Sequence, residues 1–175
     1  MPGPRIAPRA GAVLIALVAV AACSSPSSSP VATAATTAPA SGAASPAADA
    51  CSLLTPTDIQ NATGVAFGNP LAETPQQTQY GSYTACTWLQ ADAPLTTVRV
   101  TVWDDDAAYA DAKQQLGETN DLGEIGDGAF SGTLAAVYAA VNGHTLFVQY
   151  SNFGNDDATN LPVSVELAEV AATNL

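Results

Sequence analysis

Between residues 24 and 50 the chain has almost nothing with which to build a core. Of these 27 residues, 24 are Ala, Ser, Thr or Pro, with no aromatic residue and one charge, Asp49. Such a stretch buries too little apolar surface to offset the entropy of ordering it. Residues 24–50 therefore read as a tether, and folding is confined to residues 51–175. As a flexible coil the tether reaches roughly 30 Å, and in an extended polyproline-like form about 80 Å. Thr33, Thr36, Thr37 and its serines offer acceptors for O-linked sugars.

The segment before the tether explains why one is needed. Arg5 and Arg9 precede an uncharged apolar run from Ala10 to Ala22, which closes in Val20-Ala21-Ala22-Cys23. A basic start, a short apolar run and small residues before a cysteine form the pattern of a bacterial lipoprotein signal. The run is too short to span a bilayer comfortably. Cleavage is expected before Cys23, with lipid carried on its thiol. The expected organisation is a signal peptide over 1–22, a lipidated Cys23 with its tether to residue 50, and one domain over 51–175. The expected location is the extracytoplasmic face of the cell membrane, held there by lipid.

After such cleavage the basic residues are Arg99 and Lys113, set against 16 acidic ones, for a formal charge of −14. That surface repels phosphate backbones, so nucleic acid is not an expected partner. Cys51 and Cys86 remain as an even pair in an exported chain and read as a structural disulfide. The 36-residue loop it closes is worth roughly 3.8 kcal/mol in the chain-entropy model. Two cysteines and a single distant histidine, His144, make a poor zinc site.

Within 51–175, Thr55-Pro56-Thr57-Asp58 opens a helix that stops near Gly64. Thr55 caps it, Pro56 fits its first position and Asp58 suits its positive end. A polar loop with Pro70, Pro75 and Gly81 follows. Tyr83–Gln90 and Leu95–Trp103 read as strands around a turn at Asp92-Ala93-Pro94. In the second strand Val98, Val100 and Val102 face one way, and Thr97, Arg99, Thr101 and Trp103 the other. Asp104-Asp105-Asp106 begins a helix through Leu116, ended by Gly117. This aspartate run lacks the alternation, glycine and closing glutamate of a calcium loop. Asp121, Glu124 and Asp127, broken by Gly123, Gly126 and Gly128, read as a turn rather than a metal site. Asn142-Gly143 between 133–141 and 145–151 is a strong hairpin signal. Asn155-Asp156-Asp157 starts a final helix whose apolar stripe is Leu161, Val165, Ala168, Ala172 and Leu175. The expected fold is α+β: about three helices packing an antiparallel sheet of about four strands in two hairpins, in the order α-β-β-α-β-β-α.

The chemistry-bearing motifs are sparse. His144 sits at the hairpin tip, without a Gly-x-Ser-x-Gly elbow. No phosphate-cradling glycine loop leads into Lys-Ser or Lys-Thr. Lys113 lies on a polar helix face and reads as solvated. Trp88, Trp103, Tyr83, Tyr138, Phe147 and Tyr150 lie on expected strands and read as sheet core, with an apolar or carbohydrate-stacking pocket as the alternative. Trp103 shares a strand face with Arg99, a cation suited to a carboxylate partner, either internal or on a ligand.

Cys51-Ser52-Leu53-Leu54-Thr55-Pro56-Thr57-Asp58 resembles the opening of a family of small actinobacterial lipoproteins of unknown function. Cys86-Thr87-Trp88 resembles that family's second cysteine segment, and residues 122–130, LGEIGDGAF, its Gly-x-Gly-Asp-x-Ala-aromatic segment. The resemblance implies a lipidated, exported α+β domain with a disulfide, and it brings no catalytic residues. A looser likeness, in element order alone, is to the extracellular sensor domains of mycobacterial serine/threonine kinases. The expectation is a non-catalytic, membrane-tethered binding or interaction module without cofactor or metal, whose partner is an envelope lipid, glycan or protein. The alternatives are a passive surface lipoprotein and a hydrolase working with carboxylates alone.

Overall fold

One antiparallel sheet organises residues 48–117 and 120–175, which are the residues described by the structure, a computed structural model. The signal segment, Cys23 and the tether up to residue 47 lie outside the described residues. Packing begins upstream of Cys51. Ala50 is buried in a short 3-10 turn, Ala50–Ser52, and Thr84 ties down the approach to it. The Thr84 hydroxyl donates to the Ala48 carbonyl and accepts from the Ala50 amide.

The elements run α1 (Pro56–Thr63), β1 (Leu71–Ala72), β2 (Gln76–Thr78), β3 (Gly81–Gln90), β4 (Ala93–Trp103), α2 (Ala107–Leu116), β5 (Asn120–Gly123), β6 (Gly128–Ser131), β7 (Ala136–Val141), β8 (His144–Ser151) and α3 (Asp157–Asn174). The sheet order is β1-β3-β4-β8-β7-β6-β5, with β2 also pairing β3. The α+β class and the three helices agree with the sequence reading, but the sheet has eight strands rather than about four. The four additional strands are β1, β2, β5 and β6, none longer than four residues. Two of them fall in what reads as the polar loop, and the other two flank the glycine-rich acidic turn. Gln76-Gln77-Thr78 and Asn120-Asp121 carry no apolar alternation. They pair because β3 and the β6–β7 hairpin offer open ladders beside them. The outer strands are short, and β2 and the start of β5 are polar, which blunts the sheet edges against further pairing.

The local signals at the long elements translate directly. Thr55 and Asp58 form a reciprocal capping box, and Gly64 ends α1 at φ 75°. Asn142 and Gly143, at φ 52° and 81°, turn β7 into β8 as a two-residue hairpin. Between β5 and β6, Gly126 has φ 61°. A Cβ there would stand 2.3 Å from the Ala140 carbonyl oxygen, so glycine alone fits.

The core lies on the face covered by α1, α3 and the N-terminal turn. Trp88, Val98, Val100, Val102, Val137, Leu146 and Val148 are fully buried there. The disulfide Cys51–Cys86 staples the N-terminal turn to β3, with 5.1 Å between the two Cα atoms. On α3 the buried face is Asn160, Ser164, Leu167, Ala168 and Ala171, displaced from the stripe expected from apolar spacing. The displacement has a polar cause. Tyr150 lies just beyond Gln149, the last β8 residue paired with β7. Its amide donates to Ser164 Oγ at 2.9 Å, so a buried serine takes the place of a strand partner.

Candidate functional site

The other sheet face is built from the alternate residues of the same strands. Across β3, β4, β8, β7 and β6, pairing aligns Ala85, Thr101, Phe147, Tyr138 and Phe130 in one row. In the neighbouring row Tyr83 stands opposite Trp103, with ring centroids 5.6 Å apart. Phe147, Tyr138, Phe130 and Tyr109 of α2 form a chain of rings with successive centroids 5.1 Å apart. Edge and offset contacts of this kind fix ring orientation beyond simple burial.

Helix α2 covers this face on its β6, β7 and β8 side. Thr145 sets its position, since the Thr145 hydroxyl accepts from the Tyr109 amide and donates to the Asp105 carbonyl. The aspartate run before α2 divides its work. Asp105 accepts from the Ala107 amide, Asp104 accepts from the Ser82 amide, and the side chain of Asp106 makes no cap. Asp104 thereby fixes the start of β3 next to the Thr78–Gly81 turn. The space left between that turn, the sheet and α2 is an open groove.

One arm of the groove, about 600 Å³, is lined by Thr78, Gln79, Tyr80, Tyr83, Arg99, Thr101, Trp103, Tyr138 and Phe147. The second arm, about 250 Å³, runs under α2 and adds Asp111, Gln115 and Thr145. Tyr80, Trp103 and Tyr138 are common to both. Such a site, mostly apolar with a few convergent polar groups, has the make-up of small-molecule sites. Tyr80 and Asp111 face each other across the second arm. The Asp111 side chain beside the Tyr80 phenol raises its pKa above the usual tyrosine value. Burial raises that of Tyr138.

Arg99 forms one wall. Its guanidinium holds Glu73 through two contacts, Nη1–Oε1 at 2.6 Å and Nη2–Oε2 at 3.0 Å. The carboxylate partner is thus internal. Lys113 stacks its ammonium over two rings, 5.7 Å from the Tyr109 centroid and 5.9 Å from that of Phe130. His144 is half-buried at the start of β8, with Nδ1 3.2 Å from the Trp103 carbonyl oxygen. Of the six strand aromatics, Trp88 and Tyr150 go to the helix-packed core. Tyr83, Trp103, Tyr138 and Phe147 go to the groove, where all four are half-buried. Tyr80, Asp111 and Gln115 carry no sequence signal of their own, because a turn and a helix bring them to the groove. Among the described residues, no three His, Cys, Asp or Glu side chains converge as a metal-holding group. No described helix is long and apolar enough to cross a membrane.

No curated protein and no solved structure matches the chain. A family match covers residues 18–160, from within the apolar N-terminal run to the start of α3, and so takes in every strand of the groove. The chain belongs to the family described as "Protein of unknown function (DUF3558)".

Proposed function

We propose that the chain is an exported, lipid-anchored protein of the bacterial cell envelope and that its domain is a non-catalytic binding module using the aromatic groove. The single observation that carries the binding reading is the uncovered aromatic face. Tyr83, Trp103, Tyr138 and Phe147 stay half-buried on a sheet whose opposite face is fully packed. Concave aromatic surface left open on a folded domain marks interaction sites. A passive coat protein has no use for it. Among the groove's lining residues Asp111 is the one carboxylate, whereas a two-carboxylate glycosidase needs a second within about 5–9.5 Å.

The anchor rests on Arg5, Arg9, the apolar run and Val20-Ala21-Ala22-Cys23, and with it goes the lipoprotein and actinobacterial character of the family. Cys23→Ala is expected to abolish incorporation of a fatty-acid probe and leave an uncleaved precursor. Unchanged labelling refutes the anchor.

The groove has a built-in reporter. The chain holds two tryptophans, Trp103 in the groove and Trp88 fully buried on the opposite face with an unpaired Nε1. Titrating the ¹⁵N-labelled protein with fractionated envelope extract is expected to shift the Trp103 indole resonance and leave that of Trp88 in place. An extract that moves neither counts against the groove as a ligand site.

A further inference from the structure

The arm of the groove under α2 has a chemistry that the wider arm lacks. Tyr80, Trp103 and Tyr138 line it together with the Asp111 carboxylate. Asp111 accepts from Gln115 Nε2 one helical turn later and shares the arm with the Tyr80 phenol. Both groups are neutral, so the carboxylate is positioned without being neutralised. No lysine or arginine lines this arm. The nearest cations are engaged elsewhere, Arg99 by Glu73 and Lys113 over Tyr109 and Phe130. The chain as a whole carries a formal charge of −12.

Ring faces carry negative potential and draw cations seated within about 6 Å of the centroid. An anion meets repulsion here from the rings, the carboxylate and the surrounding field. A neutral sugar gains stacking but nothing from the charge. A cation gains from all three. At about 250 Å³ the arm falls below the roughly 300–1,000 Å³ typical of drug-sized sites, a size that suits one compact head group.

We propose that this arm binds an alkylated ammonium group, seated among Tyr80, Trp103 and Tyr138 with Asp111 as its counter-charge. The proposal rests on the reading of the groove as a binding site and names the ligand chemistry of its narrower arm. Choline is the probe, and 3,3-dimethylbutan-1-ol, the same shape without the charge, is its control. Each is titrated into the full-length protein in non-ionic detergent at low salt, with the Trp103 and Trp88 indole resonances followed together.

Choline is expected to shift Trp103 and not Trp88, and to bind at least about fivefold more tightly than the alcohol. Asp111→Asn is expected to weaken choline by a similar factor and leave the alcohol unchanged, with the Trp88 resonance reporting an intact core. Added salt weakens choline alone. Equal binding of choline and the alcohol overturns the cation while leaving an apolar groove in place. A Trp103 signal that responds to the alcohol or to envelope extract but not to choline also overturns it. A Trp103 signal moved by none of the three overturns the cation and the groove's binding role together.

Discussion

Cys51→Ser is expected to destabilise the domain by about 3–4 kcal/mol, a drop in melting temperature on the order of 10 °C. The disulfide closes the loop from Cys51 to Cys86, a sequence separation of 35. Without it the unfolded chain regains the entropy of that loop, and the N-terminal turn loses its covalent hold on β3. Cys86 is fully buried, so the thiol left behind reacts with a labelling reagent only after unfolding. A variant that melts within a few degrees of wild type, or a native wild-type protein whose Cys51 and Cys86 both label, contradicts the disulfide's role.

The second large effect separates the observed face of α3 from the one that apolar spacing suggests. Leu167 is fully buried against the sheet, and Leu167→Ala is expected to cost about 2–5 kcal/mol through lost contact and a residual cavity. Val165 is only half-buried. Alanine there gives up little packing and gains helix propensity, so Val165→Ala is expected to fall within about 1 kcal/mol of wild type. Chemical denaturation of both variants checks the pair. Near-equal losses, or a larger loss at Val165, place the helix on the wrong face.

Position 164 shows why α3 is harder to read than the other helices. A hydrophobicity count assigns Ser164 to the solvent side, yet the Tyr150 amide requires an acceptor at the buried interface. That requirement is set by where β7 begins, a tertiary fact with no local signature. The same distinction runs through the rest of the fold. The Thr55–Asp58 box, the Asn142-Gly143 turn and the Val98/Val100/Val102 alternation act within a few residues, and they are legible. Strands β1, β2, β5 and β6 owe their existence to neighbours distant in sequence, and so read as loops.

The groove divides the same way. Alternation places Trp103 and Arg99 on one face of β4, which marks that face as unusual. Glu73 as the arginine's partner, and Tyr80 and Asp111 meeting across the second arm, depend on how a turn and a helix are docked. Asp104 does that docking through one hydrogen bond from backbone, and Thr145 through two to backbone. Neither residue differs in type from many surface threonines and aspartates.

A groove that holds a ligand in the cell envelope is expected to keep it through gentle purification. The most direct test is a native mass spectrum of the lipidated protein, released gently from its own membrane, compared with that of a Trp103→Ala variant prepared identically. The wild type is expected to carry a reproducible added mass that is lost or strongly reduced in the variant while the anchor mass remains. A spectrum of protein plus anchor alone, or an added mass equally present in the variant, contradicts it.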